Sequence, residues 1–412
     1  MTVLDRPREA WHRVRSGTAL LGPAFVAAIA YVDPGNVAAN ISAGARYGYL
    51  LVWVIVLANA MAALVQYLSA KLGLVTGMSL PEALHERMPR AIRLAYWAQA
   101  ELVAVATDLA EVVGGAIALH LLFGLDLVTG GVITGAVSML LLTVQNRSGQ
   151  RPFEFVVTGL LLIIAVGFLA GLFVSPPSGT AVLNGLVPRL QGADSLLIAA
   201  AMLGATVMPH VVYLHSGLSR DRHGHPAAQQ RSRLLRSTRI DVGVAMVLAG
   251  AVNLGLLLLA ATNLQGKTGV DTIAGAHAAI EQNFGSVVAL LLAIGLLASG
   301  LASTSVGSYA GSMIMHGLLR RRVPLLLRRL VTLVPALLIM ALGVDPSWAL
   351  VLSQVVLSFG IPFALIPLVR LTGDRTLMGA DANHRATTVL SWLIVVVVVA
   401  LNLVLIGETV AG

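Results

Sequence analysis

Two short stretches of this sequence place side chains that bind metal ions beside residues that break helices. In the first, Asp33 and Asn36 enclose a Pro-Gly pair in the middle of an apolar segment, and in the second Met208 directly precedes Pro209. Proline removes a backbone donor and clashes with the preceding turn, so we expect both helices to unwind at these points. A carboxylate inside a membrane segment is costly and by default marks a functional site. The two stretches are therefore the candidate site.

The ligands that these stretches offer indicate which ion would bind. Asp33 supplies a carboxylate, Asn36 an amide oxygen, and unwound backbone, such as the carbonyls of Ala30 and Ala205, further oxygens. Oxygens alone suit Mg²⁺ or Ca²⁺, whereas the thioether of Met208 favours a softer ion such as Mn²⁺, Fe²⁺ or Cd²⁺. We therefore predict a transition-metal site that discriminates against the hard ions. A buried methionine and a proline kink each have a packing explanation as well, and the pairing of the two breaks is what favours the site.

One predicted helix carries three carboxylates on a single face. The spacing of Glu101, Asp108 and Glu111 keeps these side chains within about 80° of one another around a helix. Carboxylates on a membrane helix need cationic or protonatable partners. Arg328 and Arg329, at the start of a later apolar segment, are the expected partners of Glu101 and Asp108. Such pairs either carry protons or only hold two helices together, and the residues alone leave both interpretations open.

Two histidines follow the second break. His210 is adjacent to it, and we predict a role in proton transfer, with a buried core histidine as the simpler alternative. His215, five residues on, is a weaker candidate for the same proton path or for a cytoplasmic vestibule. His223 and His225 form a His-x-His pair in a basic loop and are interpreted as solvated. Asn253 and Asn263, in and just after the seventh apolar segment, could line a polar path, but no role is assigned to them.

The elements that must hold these residues are membrane helices. Of the 412 residues, 57% are hydrophobic and only 11% are charged, a composition unlike that of soluble domains. The chain has no cysteine, which excludes disulfides and thiolate metal sites. The net charge of +8 suggests nucleic acid at first, but excess Lys and Arg in a membrane protein reports its orientation. We therefore predict an all-α polytopic membrane protein without a nucleic-acid partner.

About eleven apolar segments are long enough to cross a bilayer. All Lys and Arg residues except Arg46, Arg189 and Lys267 fall in the N-terminus and in alternate loops. This distribution predicts a cytoplasmic N-terminus and an external C-terminus, and no signal-peptide cleavage pattern follows the first basic residues. The short tails favour a multi-pass protein of a prokaryotic plasma (inner) membrane. The segments lie at about 19–41, 49–74, 92–121, 127–145, 153–175, 194–218, 238–263, 284–316, 324–343, 347–370 and 386–410.

The two breaks occupy corresponding places in two halves of the chain. Five segments, an odd number, separate the start of the first half from the start of the second, so the halves have opposite orientations in the membrane. Interrupted helices at matching positions of inverted halves point to the substrate site of a transporter. We predict a single transporter domain over 1–412, with one repeat at about 18–175, a second at about 193–370, and an eleventh helix at about 386–410 outside them.

These motifs resemble those of a known family. Asp-Pro-Gly-Asn at 33–36 in the first helix and Met-Pro-His at 208–210 in the sixth are similar to the Nramp divalent-metal transporters, as are residues 45–49, 100–111 and 352–367. The resemblance implies a LeuT-type 5+5 inverted repeat with discontinuous helices 1 and 6. It also implies proton-coupled import of Mn²⁺ or Fe²⁺ into the cytoplasm by alternating access.

The resemblance further implies roles for individual residues. The implied proton route follows the acidic helix and the paired arginines, apart from the exit path of the metal, with His210 and Glu111 next to the metal. The implied metal ligands are Asp33, Asn36, Met208 and the Ala205 carbonyl, joined in some conformations by the Ala30 carbonyl and by Gln354 on the tenth helix.

The expected partners are thus divalent transition-metal ions, protons and the lipid bilayer, with no cofactor, no enzymatic activity and no obligate protein partner. Three alternatives stay open. A sodium-coupled symporter of a small organic substrate would use the same fold, although Asp33 would repel a substrate carboxylate. An intramembrane metalloenzyme would need a cluster such as His-Glu-x-x-His, which this sequence lacks. A channel is disfavoured by the paired breaks, which suggest alternating access.

Overall fold

The computed structural model describes residues 22–148, 150–224, 226–321 and 323–411, and within these ranges the regular structure is helical. The basic N-terminal residues and His225 lie outside them. The helices are α1 (Pro23–Ala30), α2 (Pro34–Tyr47), α3 (Val52–Thr76), α4 (Leu80–Arg87), α5 (Arg90–Phe123), α6 (Leu127–Ser148), α7 (Gln150–Val174), α8 (Gly179–Gly185), α9 (Gly192–Thr206), α10 (Pro209–His223), α11 (Ala228–Asn263), α12 (Ile273–Phe284), α13 (Ser286–Leu319), α14 (Leu325–Ala341), α15 (Pro346–Gly373), α16 (Arg375–Met378) and α17 (Arg385–Ala411), with a 3₁₀ turn at Gly379–Asp381.

Seven helical segments in the described residues are long and apolar enough to cross a membrane: α3, α5, the α9–α10 pair, α11, α13, α15 and α17. The other predicted segments correspond to the interrupted pair α1–α2, to shorter apolar stretches in α6 (Leu127–Leu140) and α7 (Thr158–Val174), and to the 17-residue α14. The predicted polytopic all-α membrane fold is therefore confirmed. The extents of the two repeats stay a prediction.

Both predicted helix breaks are present. α1 ends at Ala30 and α2 begins at Pro34, with Asp33 as its N-cap in an extended conformation. α9 ends at Thr206 and α10 begins at Pro209, with Met208 as its N-cap. Proline suits the first position of a helix because the N–H that it lacks would have no partner there. Each proline thus ends one half-helix and starts the next.

The four half-helices lie inside a shell of long helices. α2 packs against α11, α9 against α15, and α10 against α3, while α5 and α13 pack against each other. Small residues allow this last approach, because a side chain at Gly300 of α13 would meet the backbone of Glu111 and Gly115 in α5. Small residues at this contact thus let α5 and α13 lie close together.

The N-terminus of α1 is held by a residue that the sequence did not single out. Asp241, buried on α11, accepts hydrogen bonds from the backbone N–H groups of Gly22 (3.4 Å) and Ala24 (3.2 Å). The first N–H groups of a helix have no partner within the helix, and a carboxylate there also interacts favourably with the helix dipole. Asp241 therefore fixes the start of α1 from a different helix.

We expect Asp241→Ala to destabilise the protein by on the order of 1 kcal/mol, because the N–H groups of α1 lose a buried acceptor. Unfolding followed by intrinsic tryptophan fluorescence would show this as a lower midpoint temperature. The midpoint temperature of Asp241→Asn, which keeps one acceptor oxygen, should lie between those of the unaltered protein and Asp241→Ala. Equal midpoints for all three proteins would mean that the cap contributes nothing.

Candidate metal site

The first break brings a carboxylate and an amide into contact. The carboxylate oxygen Oδ1 of Asp33 accepts one hydrogen bond from the backbone N–H of Asn36 (2.8 Å) and another from its side-chain Nδ2 (2.9 Å). Both residues are fully buried. Asn36 lies in the first turn of α2, so the capping geometry of Asp33 also sets the position of the Asn36 side chain.

Each break frees one carbonyl for a simple geometric reason. The carbonyl of residue i in a helix accepts from the N–H of residue i+4. Ala30 is four residues before Pro34, and Ala205 is four residues before Pro209. Since proline has no N–H, neither carbonyl has its helical donor. These are the two carbonyls that the sequence analysis gave as candidate ligands.

The two breaks meet through the side chain of Asn36. Its Nδ2 donates to the carbonyl oxygen of Ala205 at 2.8 Å as well as to Asp33. One amide nitrogen is thus held between a carboxylate oxygen from the first break and a carbonyl oxygen from the second. Oxygens of both half-helix pairs therefore converge on a single point.

Three further oxygens around this point have no hydrogen-bond partner. They are Oδ2 of Asp33, Oδ1 of Asn36 and Oε1 of Gln354, all buried. Gln354, on α15, lies against the first break, because a Cβ atom at Gly35 would overlap its side-chain amide. Buried acceptors without a donor cost about 1–3 kcal/mol each, so such a cluster is suited to a cation.

Met208 is the N-cap of α10 and is completely buried, three residues after Ala205. The backbone of the predicted soft ligand therefore belongs to the same break as the freed Ala205 carbonyl. Within the described ranges, no group of three or more His, Asp or Glu side chains is arranged to hold a metal ion. The candidate site instead combines one carboxylate with amide and carbonyl oxygens and a thioether.

Other polar groups exposed by the first break are satisfied by residues to which the sequence analysis assigned no role. The carbonyl of Tyr31 accepts from Nδ2 of Asn253 at 2.7 Å, and the carbonyl of Val32 accepts from the hydroxyl of Ser299. Asn253 in turn accepts from Nδ2 of Asn40 at 3.1 Å. A polar residue in an otherwise apolar helix was the only signal that could have found Asn253. These bonds pair the carbonyls of Tyr31 and Val32, whereas the carbonyl of Ala30 lacks its helical donor.

The expected ion pairs between α5 and α14 are present. Nη1 of Arg329 lies 2.7 Å from Oδ1 of Asp108, and Nη2 of Arg328 lies 3.0 Å from Oε1 of Glu101. Arg329 is almost wholly buried and also donates through Nε to the hydroxyl of Ser138 at 3.1 Å. Removing one partner of such a buried pair leaves an unpaired charge, which typically costs 3–5 kcal/mol. The two pairs therefore join helices whatever else they do.

Glu111 and His210 lie between these ion pairs and the breaks. Pro34 packs on Gly114, which is one turn along α5 from Glu111. Nδ1 of His210 is 3.4 Å from the hydroxyl of Thr107, the residue before Asp108. Oε2 of Glu111 and Nε2 of His210 are buried without partners. A series of titratable groups thus runs from the first break along α5 to α14.

His215 belongs to a second polar chain. Its Nδ1 lies 2.7 Å from Oε1 of Gln66 on α3, and Nε2 of Gln66 donates to the hydroxyl of Tyr31 in the first break. Gln66 and Tyr31 were not identified from the sequence. Nε2 of His215 has no partner. His215 is therefore connected to the candidate site by hydrogen bonds, on the α3 side and not on the α5 side.

Ion pairs link helices on both sides of the site. At one end Arg46 of α2 pairs with Asp194 (3.0 Å) and Asp271 (2.8 Å), which links the first break helix to α9. At the other end Arg220 of α10 pairs with Glu82 of α4. The candidate ligand side chains between these contacts are buried. The described residues therefore shield the candidate ligand side chains from solvent.

Residues 24–408 match the family described as natural resistance-associated macrophage protein-like, Nramp. The chain is 66% identical over 394 residues to the divalent metal cation transporter MntH of Mycobacterium tuberculosis, which covers 95% of this chain and 92% of that protein. The crystal structure of the Eremococcus coleocola manganese transporter, 33% identical, superimposes with a TM-score of 0.86 over 97% of this chain and 88% of that one.

The fold extends beyond this family. Mhp1, a nucleobase-cation-symport-1 family transporter, superimposes with a TM-score of 0.60 over 93% of this chain and 90% of its own, at 17% identity. At that identity the likeness concerns the fold alone. It supports the LeuT-type architecture with two discontinuous helices.

Two glycines at the breaks allow a direct test of the packing around Gln354. A methyl group at Gly204 would overlap the backbone carbonyl of Gln354, whereas one at Gly35 would overlap only its side chain. We expect Gly204→Ala to destabilise the protein by about 1–3 kcal/mol, because backbone must move. Gly35→Ala should cost less, since a flexible side chain can rotate away. Tryptophan-fluorescence unfolding measures both, and the reverse order would show that α9 and α15 pack differently here.

Proposed function

The chain belongs to the Nramp family, and we propose that it is a proton-coupled transporter that imports divalent transition-metal ions, Mn²⁺ or Fe²⁺, into the cytoplasm. The family and the membrane-spanning helices make it a multi-pass membrane transporter. One observation carries the choice of substrate. The Asn36 amide is held by Asp33 and Ala205 from two separate breaks, with unpartnered oxygens beside it.

The amide nitrogen of Asn36 occupies the place that suits a cation. It donates to Oδ1 of Asp33 and to the carbonyl of Ala205, and both oxygens are available to a metal ion once the amide turns. The turn also presents the unpartnered Oδ1 of Asn36 to the same point. Met208 adds the soft ligand, and Gln354 and the Ala30 carbonyl complete the proposed set. Such a mixture of oxygens and sulfur favours Mn²⁺, Fe²⁺ or Cd²⁺ over Ca²⁺ and Mg²⁺.

Proton coupling follows from the charge of the ion. A divalent cation beside Asp33 favours the ionised carboxylate and expels its proton. His210 and Glu111 are the nearest proposed acceptors, because both have an unpartnered atom and both lie toward α5. The pairs Asp108–Arg329 and Glu101–Arg328 continue the proposed route, and His215 is a weaker candidate on the α3 side.

Direction and access complete the proposal. The Lys and Arg distribution supports a cytoplasmic N-terminus and an external C-terminus in the plasma membrane. The ion pairs at the two ends, Arg46 with Asp194 and Asp271, and Arg220 with Glu82, are the contacts that must open in turn for alternating access. Relatives of high identity are transporters, which removes the metalloenzyme alternative. No cofactor is proposed, since the metal is the substrate.

The test is Mn²⁺ influx into proteoliposomes loaded with a pH dye, with and without an inward proton gradient. We expect Mn²⁺ entry to acidify the lumen and the gradient to accelerate it. Asp33→Asn should lower Mn²⁺ influx about a hundredfold or more, because the attraction between a carboxylate and a divalent cation amounts to several kcal/mol at the effective dielectric of a protein. Asp345→Asn, which alters an exposed helix cap, is the matched control and should transport normally.

Each departure from this result has a distinct meaning. Mn²⁺ entry without acidification would mean that the carboxylates of α5 have only a structural role, and it would favour a uniporter or channel. Normal influx through Asp33→Asn would overturn the assignment of the site. No metal influx at all would make the sodium-coupled symporter of an organic substrate the next candidate.

Met208→Ala tests the selectivity of the site. The variant keeps its oxygen ligands, so we expect partial Mn²⁺ transport together with new uptake of Ca²⁺ or Mg²⁺, because only the soft ligand is lost. Competition of each hard ion against Mn²⁺ in the same proteoliposomes measures the change. If Ca²⁺ stays as poor a competitor as in the unaltered protein, the thioether does not select the ion.

A further inference from the structure

A second polar cavity lies away from the candidate metal site. It has a volume of about 400 Å³ and opens at the membrane face where α3 ends and α11 and α17 begin. Its lining is mostly basic and polar, with Tyr67, Lys71, Arg236, Arg239, His384 and Thr387 among the residues that surround it. Neither the proposed transport mechanism nor the sequence motifs assign it a role.

Lys71 is the most informative residue of this cavity. Its side chain is 7% exposed, and its ammonium group donates to Oδ1 of Asn383, a neutral amide, at 2.9 Å. Among the described residues, no carboxylate lies within ion-pair distance of it. A buried ammonium without an anionic partner is costly. An anionic ligand would therefore supply the negative charge that the Lys71 ammonium lacks within ion-pair distance.

The neighbouring side chains add further positive charge to the cavity. Arg239 stacks over the ring of Tyr67, 5.1 Å from its centroid, and donates to the Tyr67 hydroxyl at 3.3 Å. Arg236 lines the same cavity. The one carboxylate of the lining, Asp381, lies 3.3 Å from Arg231 and is already paired. Three basic side chains, Lys71, Arg236 and Arg239, thus line a cavity whose one carboxylate among the described residues, Asp381, is paired with Arg231.

The surface beside the cavity is apolar. Within one or two turns of the basic residues, α11 exposes Ile240 (55%) and Val244 (50%), and α17 exposes Val389 (68%) and Leu393 (56%). α3 packs against both helices. In a membrane protein such side chains face lipid tails. A ligand in this cavity therefore has its charged part among the cations and an adjoining hydrocarbon surface for its apolar part.

We propose that this cavity binds the headgroup phosphate of an anionic phospholipid, with Lys71, Arg236 and Arg239 as its donors. Phosphate oxygens accept strong charge-assisted hydrogen bonds from guanidinium and ammonium groups. Basic pockets between membrane helices on the cytoplasmic side are typical anionic-lipid sites, and the predicted topology places this cavity on that side. The exposed apolar side chains beside the cavity favour a lipid over a free phosphate. The inference does not depend on which ion the protein transports.

Native mass spectrometry of the full chain, released from detergent with phosphatidylglycerol added at a range of concentrations, measures this binding. We expect saturable binding of phosphatidylglycerol, and much weaker binding of phosphatidylcholine. Arg236→Gln and Arg239→Gln should each weaken the phosphatidylglycerol affinity about fivefold. Arg375→Gln, an exposed arginine outside the cavity, is the matched control and should leave the affinity unchanged.

Competition by soluble anions and a third variant complete the test. Glycerol 1-phosphate and inorganic phosphate, added in excess, should not displace the lipid, and displacement by either would indicate a site for a soluble anion instead. Lys71→Gln should weaken the phosphatidylglycerol affinity most. Because Lys71 is buried, the unfolding temperature of this variant shows whether it still folds. Arg236 is exposed, so its variant should fold normally. Unaltered phosphatidylglycerol affinity in Arg236→Gln and Arg239→Gln together would overturn the proposal.

Discussion

The structure depends on how a membrane protein satisfies polar backbone where a helix is broken. Within a bilayer no water is available to pair with free carbonyl and N–H groups, so each unpaired group costs several kcal/mol. Here the carbonyls of Tyr31 and Val32 are paired with Asn253 and Ser299 from the surrounding helices. The Ala205 carbonyl is paired with Asn36 from the other break. The two breaks are stable because their free carbonyls are paired with side chains from the surrounding helices or from the other break.

The same constraint organises the charges. Arg329 and Asp108 are both buried and lie 2.7 Å apart, and neither would be tolerated alone at this position. Their pair ties α14 to α5, and α5 in turn packs on Pro34 through Gly114. The carboxylates of α5 are therefore held in a fixed relation to the first break. Any change of charge at Asp33 acts on neighbours whose positions are already set.

The features predicted from sequence are those whose cause is local or whose cost is high. Pro34 and Pro209 indicated the breaks because the effect of proline is confined to its own turn, and the ion pairs of α5 followed from the cost of a charge in a membrane. Asp241 as the cap of α1 was not predicted, since its partner Ala24 is 217 residues away. The roles of Asn253 and Gln66 were not predicted because a neutral polar side chain has many possible partners. Distant pairing of neutral groups needs the fold itself.

The amide of Asn36 has a consequence for the unloaded protein. A carrier that could close only around its cargo would exchange one ion for another and accumulate nothing, because its empty form could not return. Here the Nδ2 group is a donor built into the chain, and it joins Asp33 to Ala205 at the point where the proposed site would hold a cation. The two halves of the site can thus approach each other without cargo. Net uptake over many cycles, as distinct from one-for-one exchange, becomes possible through a single neutral side chain.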